Sequence, residues 1–324
     1  MAARLHPAPE PVREIVDLRR LSARDLDLLL KEECAAWRSE LEWEFEKPAD
    51  LVRRFVEMGA LSGSALVEDG EVTGYVYYVL EEDKGLIGDL YVRRHVRTAE
   101  RENLLLSTAL AAMMESPVVR RIESQLMMLA FDPRRRVPCP ECLTVFERNF
   151  MRIDLSTAAL RKTSLRRPIY TEKWNDHYQD SAASLIAAAY AGHVDSRIND
   201  QYRNATGARR FLHNIVQYPG CGAFYRPASI VAFEGVSGRL CGISLASLVT
   251  PETGHVTQIC VSPEVRGTGV GYELLRQSLT SLRDMGCTSA SLTVTAANED
   301  AVALYESVGF ETIRRFSAYV WAGF

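Results

Sequence analysis

The chain has 324 residues, of which 47% are hydrophobic and 25% charged, with a formal net charge of −4 at pH 7. This is the composition of a globular protein of about two domains, and it excludes intrinsic disorder and fibrous repeats. Weak acidity gives no overall drive toward nucleic acid or anionic lipid. No apolar run approaches the roughly 20 residues of a membrane helix, and the start, residues 1–10, has no apolar leader, so a cytoplasmic protein with no nucleic-acid or membrane partner is expected.

Residues 1–12 hold three prolines and read as a tail. Periodicity then predicts a helix over 18–37 and a hairpin of strands 64–67 and 73–80 around Asp69-Gly70. A strand over 85–92, a helix over 99–114 and a strand over 121–129 follow. Residues 156–168 are polar and basic and end in proline, as a linker does. Beyond it come a strand at 169–174 and a helix over 179–190, with Ala182, Leu185, Ile186 and Ala189 on one face. A helix at 208–216 precedes strands 229–233, 241–249 and 255–261. The remainder reads as helix 272–285 stopped by Gly286, strand 290–294, helix 299–308 closed by Gly309, and a β-rich end at 311–321. Such alternation around a mixed sheet defines an α/β or α+β class. Gly85–Val92 aligns with Gly254–Val261, and both are followed by a basic loop and an Ala/Leu-rich helix, the mark of a tandem duplication. The expected organisation is therefore a tail (1–12), a first domain (13–155), a linker (156–167) and a second domain (168–324).

Seven cysteines are scattered along the chain, an odd number in a chain long enough to build its own cores, so a disulfide framework is not expected. Cys139-Pro-Glu-Cys142 has half the ligand spacing of a zinc knuckle, but no second pair completes it and no metal is expected.

The segment that carries chemistry is Val261–Leu275, in which a strand enters a glycine-rich turn and then a helix. Gly267, Gly269 and Gly271 let backbone approach a ligand closely. The free N–H groups of the first helical turn favour an anion such as a diphosphate, and Arg266 adds a cation. A dinucleotide-binding fingerprint would need this turn on the first strand of its unit, with an acidic residue about 20 positions on. Here the turn lies late, and the next strand, 289–295, ends without an acid.

With Arg266, Gly269 and Gly271 at the fixed positions of its coenzyme A signature (arginine or glutamine, then glycine, then glycine or alanine), the segment resembles the GNAT superfamily of N-acetyltransferases. A second motif, Asn298-x-x-Ala301-x-x-x-Tyr305-x-x-x-Gly309-Phe310, is similar to that family's later one. For residues 13–155 the resemblance extends to the fold only. It implies two tandem domains of the same kind, each a mixed, mostly antiparallel sheet flanked by helices, and acetyl-CoA as cosubstrate. The backbone of Ile259, Cys260 and Val261 is then expected to pair with the pantetheine arm. The N–H groups of Gly267, Thr268, Gly269, Val270 and Gly271 would hold the diphosphate, and Asn298 would touch the pantetheine. Tyr305 would stand near the sulfur as general acid for the leaving thiolate.

The strand before the turn, where many members of that family carry a glutamate, offers only His255 as a base; otherwise it is a strand-end histidine facing solvent, and a water chain takes the proton. A polar loop with Tyr190, His193, Asp195 and Asp200 is expected on the acceptor side, with Asp195 or His193 as further candidate bases. The first domain lacks glycines in its corresponding turn, Arg93–Ala99, and its stretch 143–150 echoes the tyrosine motif without the tyrosine. It is expected neither to bind coenzyme A nor to catalyse. The expected activity is transfer of an acetyl group to a small-molecule or protein amine. A non-catalytic acyl-CoA sensor and an aminoacyl or longer-acyl transferase are the other readings.

Overall fold

The structure, a computed structural model, describes residues 13–129, 131–162, 164–218 and 220–324; the predicted tail, 1–12, lies outside the described residues. The chain forms two compact units. The first takes the described residues up to Ala35, with Ala49–Thr144 and Val320–Phe324; the second takes Ala36–Pro48 and Val145–Tyr319.

The first unit contains β1 (Arg13–Asp17), the start of α1 (Asp27–Leu41), α2 (Glu46–Glu57), β2 (Gly63–Glu68), β3 (Glu71–Glu81), β4 (Lys84–Val92), α3 (Ala99–Met114) and β5 (Arg121–Gln125). The helix predicted over 18–37 begins only at Asp27. Asp17 caps one 3-10 turn, Ser22 and Asp25 form a capping box on a second, and these local hydrogen bonds hold the chain short of a helix. The strands lie in the order β1-β2-β3-β4-β5. Only β4 and β5 run parallel. Asp69 and Gly70, both at positive φ, turn the predicted hairpin.

The second unit begins in β6 (Leu143–Asp154). It continues with β7 (Ile169–Lys173), α4 (Gln179–Ala189), α5 (Asp195–Ile198), α6 (Ala205–Gln217), β8 (Ala223–Phe224), β9 (Ile230–Glu234), β10 (Leu240–Thr250), β11 (Thr253–Val261), α7 (Val270–Met285), β12 (Ser289–Thr295), α8 (Glu299–Val308) and β13 (Glu311–Ala322). Its sheet runs β13-β6-β12-β11-β10-β9-β7, with β8 on β10; from β6 to β7 the pairs are antiparallel except β11 with β12, which is parallel. α7 lays Leu275, Leu279 and Leu282 into a core with Val256, Leu292, Val294, Tyr305 and Phe310. The echo expected at 143–150 fails here. Those residues belong to strand β6, whereas the tyrosine motif they were aligned with is helical. β6 precedes the 156–167 segment in the chain yet groups with the second unit, where it pairs antiparallel with β12 from Ser289–Asp154 to Thr295–Arg148.

The duplication is visible in the register. Between β10 and β11 the pairing steps from Leu245–Gln258 to Ala246–Val256, leaving Thr257 as an extra residue. Between β3 and β4 it steps from Tyr77–Asp89 to Tyr78–Ile87, leaving Gly88. In the alignment of the two halves Gly88 and Thr257 are the same position, so each copy carries a β-bulge at one place. Among the described residues no helix is long and apolar enough to cross a membrane, and no group of three or more His, Cys, Asp or Glu side chains could hold a metal.

Candidate functional site

The bulge at Thr257 sets up the site. β11 and β12 pair in parallel only from Thr253–Ser289 to Val256–Leu292. Beyond the bulge Ile259, Cys260 and Val261 still pair with β10, but the ladder to β12 has ended. A cleft of about 950 Å³ opens there, lined by these three residues, the glycine turn and the start of α8. An extended molecule could add itself to the released strand edge.

At the outer end of the cleft the turn has the form the sequence anticipates. Gly267 and Gly269 sit at φ of 70° and 93°, where a side chain is strained. Gly269 caps α7. The first α-type bond inside the helix is Glu273 N–H to the Gly269 carbonyl, 3.0 Å, so the N–H groups of Val270, Gly271 and Tyr272 have no intrahelical acceptor. A Cβ on Gly271 would meet nothing closer than Leu304 Cδ2 at 3.8 Å. The space in front of these amides is therefore open, and donors around an open cradle fit a diphosphate. Arg266 also lines the cleft, but its guanidinium donates to the Ala189 carbonyl at the end of α4, 2.6 Å.

At the inner end stand Asn298 and Tyr305. Asn298 occupies the N-cap position of α8. Tyr305 is buried, and its hydroxyl has no hydrogen-bond partner among the described residues. Burial first, then the negative charge of Asp195, raise its pKa, with Arg148 opposing, so the phenol keeps its proton. Cys260 is likewise held as a thiol, its pKa pushed up to about 12 by burial, which is the wrong state for a nucleophile.

The predicted acceptor loop divides. Tyr190 and His193 line the cleft; Asp195 lies just behind them and Asp200 does not line it. Tyr190 stacks on Tyr202 at 4.5 Å, and both hydroxyls bond the Gln258 amide at 2.9 and 3.3 Å. His193 Nδ1 accepts the Asp195 N–H at 3.2 Å. The proton of the neutral ring is then on Nε2, which makes that nitrogen a donor.

His255 is not part of the site. It sits within β11 before the bulge, 4% exposed, between the rings of Trp43 (4.8 Å) and Phe150 (6.2 Å), with Nδ1 2.9 Å from Ser291 Oγ. Burial lowers its pKa to about 3. The expectation of a solvent-facing or catalytic histidine fails because Trp43, distant in sequence, covers it.

One participant was not anticipated. Arg148, on β6, is buried, with Nη1 3.1 Å from Thr295 Oγ1 and 3.5 Å from Asp195, and Nη2 3.1 Å from Thr293. Thr295 also donates to Asp195. This network fixes Asp195 behind the acceptor loop. Only the pairing of β6 with β12 brings Arg148 there, and nothing local in the sequence signals it.

The corresponding turn of the first unit is closed by its own charges. Glu102, in the first turn of α3, accepts from Arg97 at 2.7 Å and from Arg135 at 2.6 Å. Glu68 takes Arg101 at 2.8 Å. The arginines at the start of α3 are thus taken up by carboxylates, and Arg135 is a buried member of this set.

Residues 164–310 match the model of the Acetyltransferase (GNAT) family. The mycothiol acetyltransferase of Propionibacterium freudenreichii subsp. shermanii is 29% identical over 142 residues, covering 43% of this chain and 43% of its own. The [ribosomal protein bS18]-alanine N-acetyltransferase of Escherichia coli (strain K12) is 35% identical over 81 residues, 24% of this chain and 54% of its own. The matches thus span about half or less of these relatives. Among solved structures, a GCN5-related N-acetyltransferase from Sphaerobacter thermophilus has a TM-score of 0.66 at 16% identity, with 95% of both chains covered. A tandem GNAT protein from the clavulanic acid biosynthesis pathway has 0.60 at 16% identity, covering 96% of this chain and 98% of its own. Both extend the likeness of fold to nearly the whole chain.

Proposed function

We propose that the chain is an acetyl-CoA-dependent N-acetyltransferase whose one working site is the cleft of the second unit. The observation that carries this reading is the combination of a released strand edge at Ile259–Val261, an open cradle of amides at Val270–Tyr272 and a protonated tyrosine hydroxyl facing the same space. Acetyl-CoA supplies the acetyl group, activated as a thioester. The turn amides hold its diphosphate, the edge of β11 orients its pantetheine, and Asn298 borders that arm.

The acceptor is an amine, of a small molecule or of a protein, entering past Tyr190 and His193; the named relatives include both kinds. Direct attack by the amine builds negative charge on the carbonyl oxygen, which a strand amide can stabilise. Tyr305 donates its hydrogen bond, and then its proton, to the departing sulfur. The amine must first lose its own proton. His193 presents a donor nitrogen and Asp195 is shared between Thr295 and Arg148, so we assign that proton to water. The first unit, with its turn occupied by Glu68 and Glu102, has no coenzyme site in this reading.

Thiol release from acetyl-CoA in the presence of an amine panel tests the proposal. Turnover with at least one amine supports it. Tight coenzyme binding without turnover on any would make the protein a sensor, and turnover only with a longer acyl donor would move it to that class.

A further inference from the structure

The 156–167 segment is more than a connection. Tyr272, in the first turn of α7, donates its hydroxyl to the Arg161 carbonyl at 2.7 Å. The Arg166 N–H faces the Thr268 carbonyl at 3.4 Å. Leu165 Cδ2 is 3.5 Å from the place a Cβ on Gly269 would take. Further along α7, Arg283 donates to the Ala158 carbonyl at 3.4 Å. The described residues of the segment are therefore laid against the start of α7 and the glycine turn, and none of them lines the cleft itself.

It brings charge to that place. Arg161, Lys162, Arg166 and Arg167 are all exposed; among the described residues the three arginines make no ion pair, while the charge of Lys162 helps lower the pKa of Glu273. The nearby Glu273 carboxylate is already held by Arg276 at 2.6 Å and Gln277 at 2.7 Å. The turn's own cation, Arg266, is engaged by the Ala189 carbonyl. The amides of the turn can hold a diphosphate, and a second anion beside it would meet the exposed cations of this segment.

We propose that the exposed cations of this segment, Arg161 and Arg166 foremost, bind the 3′-phosphate of coenzyme A, so that the segment between β6 and β7 discriminates coenzyme A from its 3′-dephospho form. The inference rests on the reading of the glycine turn as the diphosphate seat. From that seat the pantetheine runs inward along β11, and the ribose must lie outward, where the segment passes. A phosphomonoester carries about −1.5 to −2 charges at neutral pH. Exposed arginines meet such a group through a modest, salt-sensitive attraction.

The test is calorimetric titration of the full chain with coenzyme A and with 3′-dephospho-coenzyme A. The unmodified protein should prefer coenzyme A by about 10-fold, the usual sum of two or three exposed charge pairs, and the preference should shrink in about 0.5 M salt. The double variant Arg161→Ala/Arg166→Ala should bind both compounds within about 2-fold of each other, by weakening coenzyme A alone, while Arg161→Lys/Arg166→Lys keeps most of the preference. Equal binding by the unmodified protein, or full discrimination by the alanine variant, overturns this proposal and leaves the diphosphate seat standing. Binding of neither compound overturns both.

Discussion

Gly271→Ala and Gly271→Leu together separate the two jobs a glycine can do in a binding turn. Gly267 and Gly269 are poor probes, because alanine there costs about 1–2 kcal/mol for its left-handed φ alone, and lost binding would be confounded with lost structure. Gly271 lies one residue inside α7 with an ordinary φ, and its nearest neighbour around a Cβ is 3.8 Å away. Alanine therefore fits the folded chain. As a helical residue it should stabilise by up to about 0.5–1 kcal/mol, which raises the melting temperature by about 1–4 °C for a domain of this size. One methyl leaves the N–H groups in place, and the signature this segment resembles accepts alanine here, so coenzyme A should bind Gly271→Ala nearly as before. Gly271→Leu, also a good helix former, puts a longer side chain into the cradle and should block it. Loss of one charge-assisted hydrogen bond to a diphosphate is worth about 1.5–3 kcal/mol, or about 10- to 100-fold in Kd. Calorimetric titration with coenzyme A and a thermal melt on one preparation read both effects. A leucine variant that stays folded and binds coenzyme A as tightly as the parent would refute the placement of the diphosphate at these amides.

Tyr305→Phe should lower turnover at least about 10-fold with coenzyme A affinity unchanged; an unchanged kcat takes the hydroxyl out of the chemistry. With water as the proton acceptor, kcat/KM for an alkylamine should climb with pH toward the amine's own pKa of about 10, and His193→Ala should leave the shape of that profile alone. A second limb in the profile that vanishes in the variant would make His193 the base after all. His255 contributes to acid lability. Its folded pKa, about 3, lies below the unfolded value of 6.5, so the unfolded chain gains a proton first and stability falls as pH drops from about 6.5 to about 3. Asp89, raised to about 6 by burial, acts in the opposite sense. His255→Gln should flatten the decline by up to about 1.4 kcal/mol per pH unit, measured by urea unfolding between pH 6 and 4; an unaltered slope would mean the imidazole titrates normally. Gly254→Ala should destabilise by about 1–3 kcal/mol, because a Cβ there would stand 2.4 Å from Leu282 Cδ1; a melting temperature equal to the parent's would refute that packing.

What could be read in advance follows from the range of the interactions involved. The helix over Glu299–Val308 agrees with its predicted bounds, and α7 starts within two residues of them, because glycine stops and local apolar periodicity define both. The glycine turn was legible for the same reason, since its chemistry resides in consecutive residues. The bulge at Thr257 was not, although it opens the cleft. No residue type announces it, and it exists only as a mismatch between β10 and β11. Arg148 and Trp43 escaped for a related reason. Each lies N-terminal to the linker and reaches the second unit through long-range pairing or packing, so a boundary drawn on composition assigns them to the wrong domain. The misjudgement of His255 is the same error seen from the other side, because a strand histidine looks exposed until the tryptophan that buries it is in place. The pair of bulges at Gly88 and Thr257 shows that the duplicated halves retained the strand geometry that makes a cleft. Only the second carries Gly267, Gly269 and Gly271 beside it, where the first has Thr98, Glu100 and Glu102.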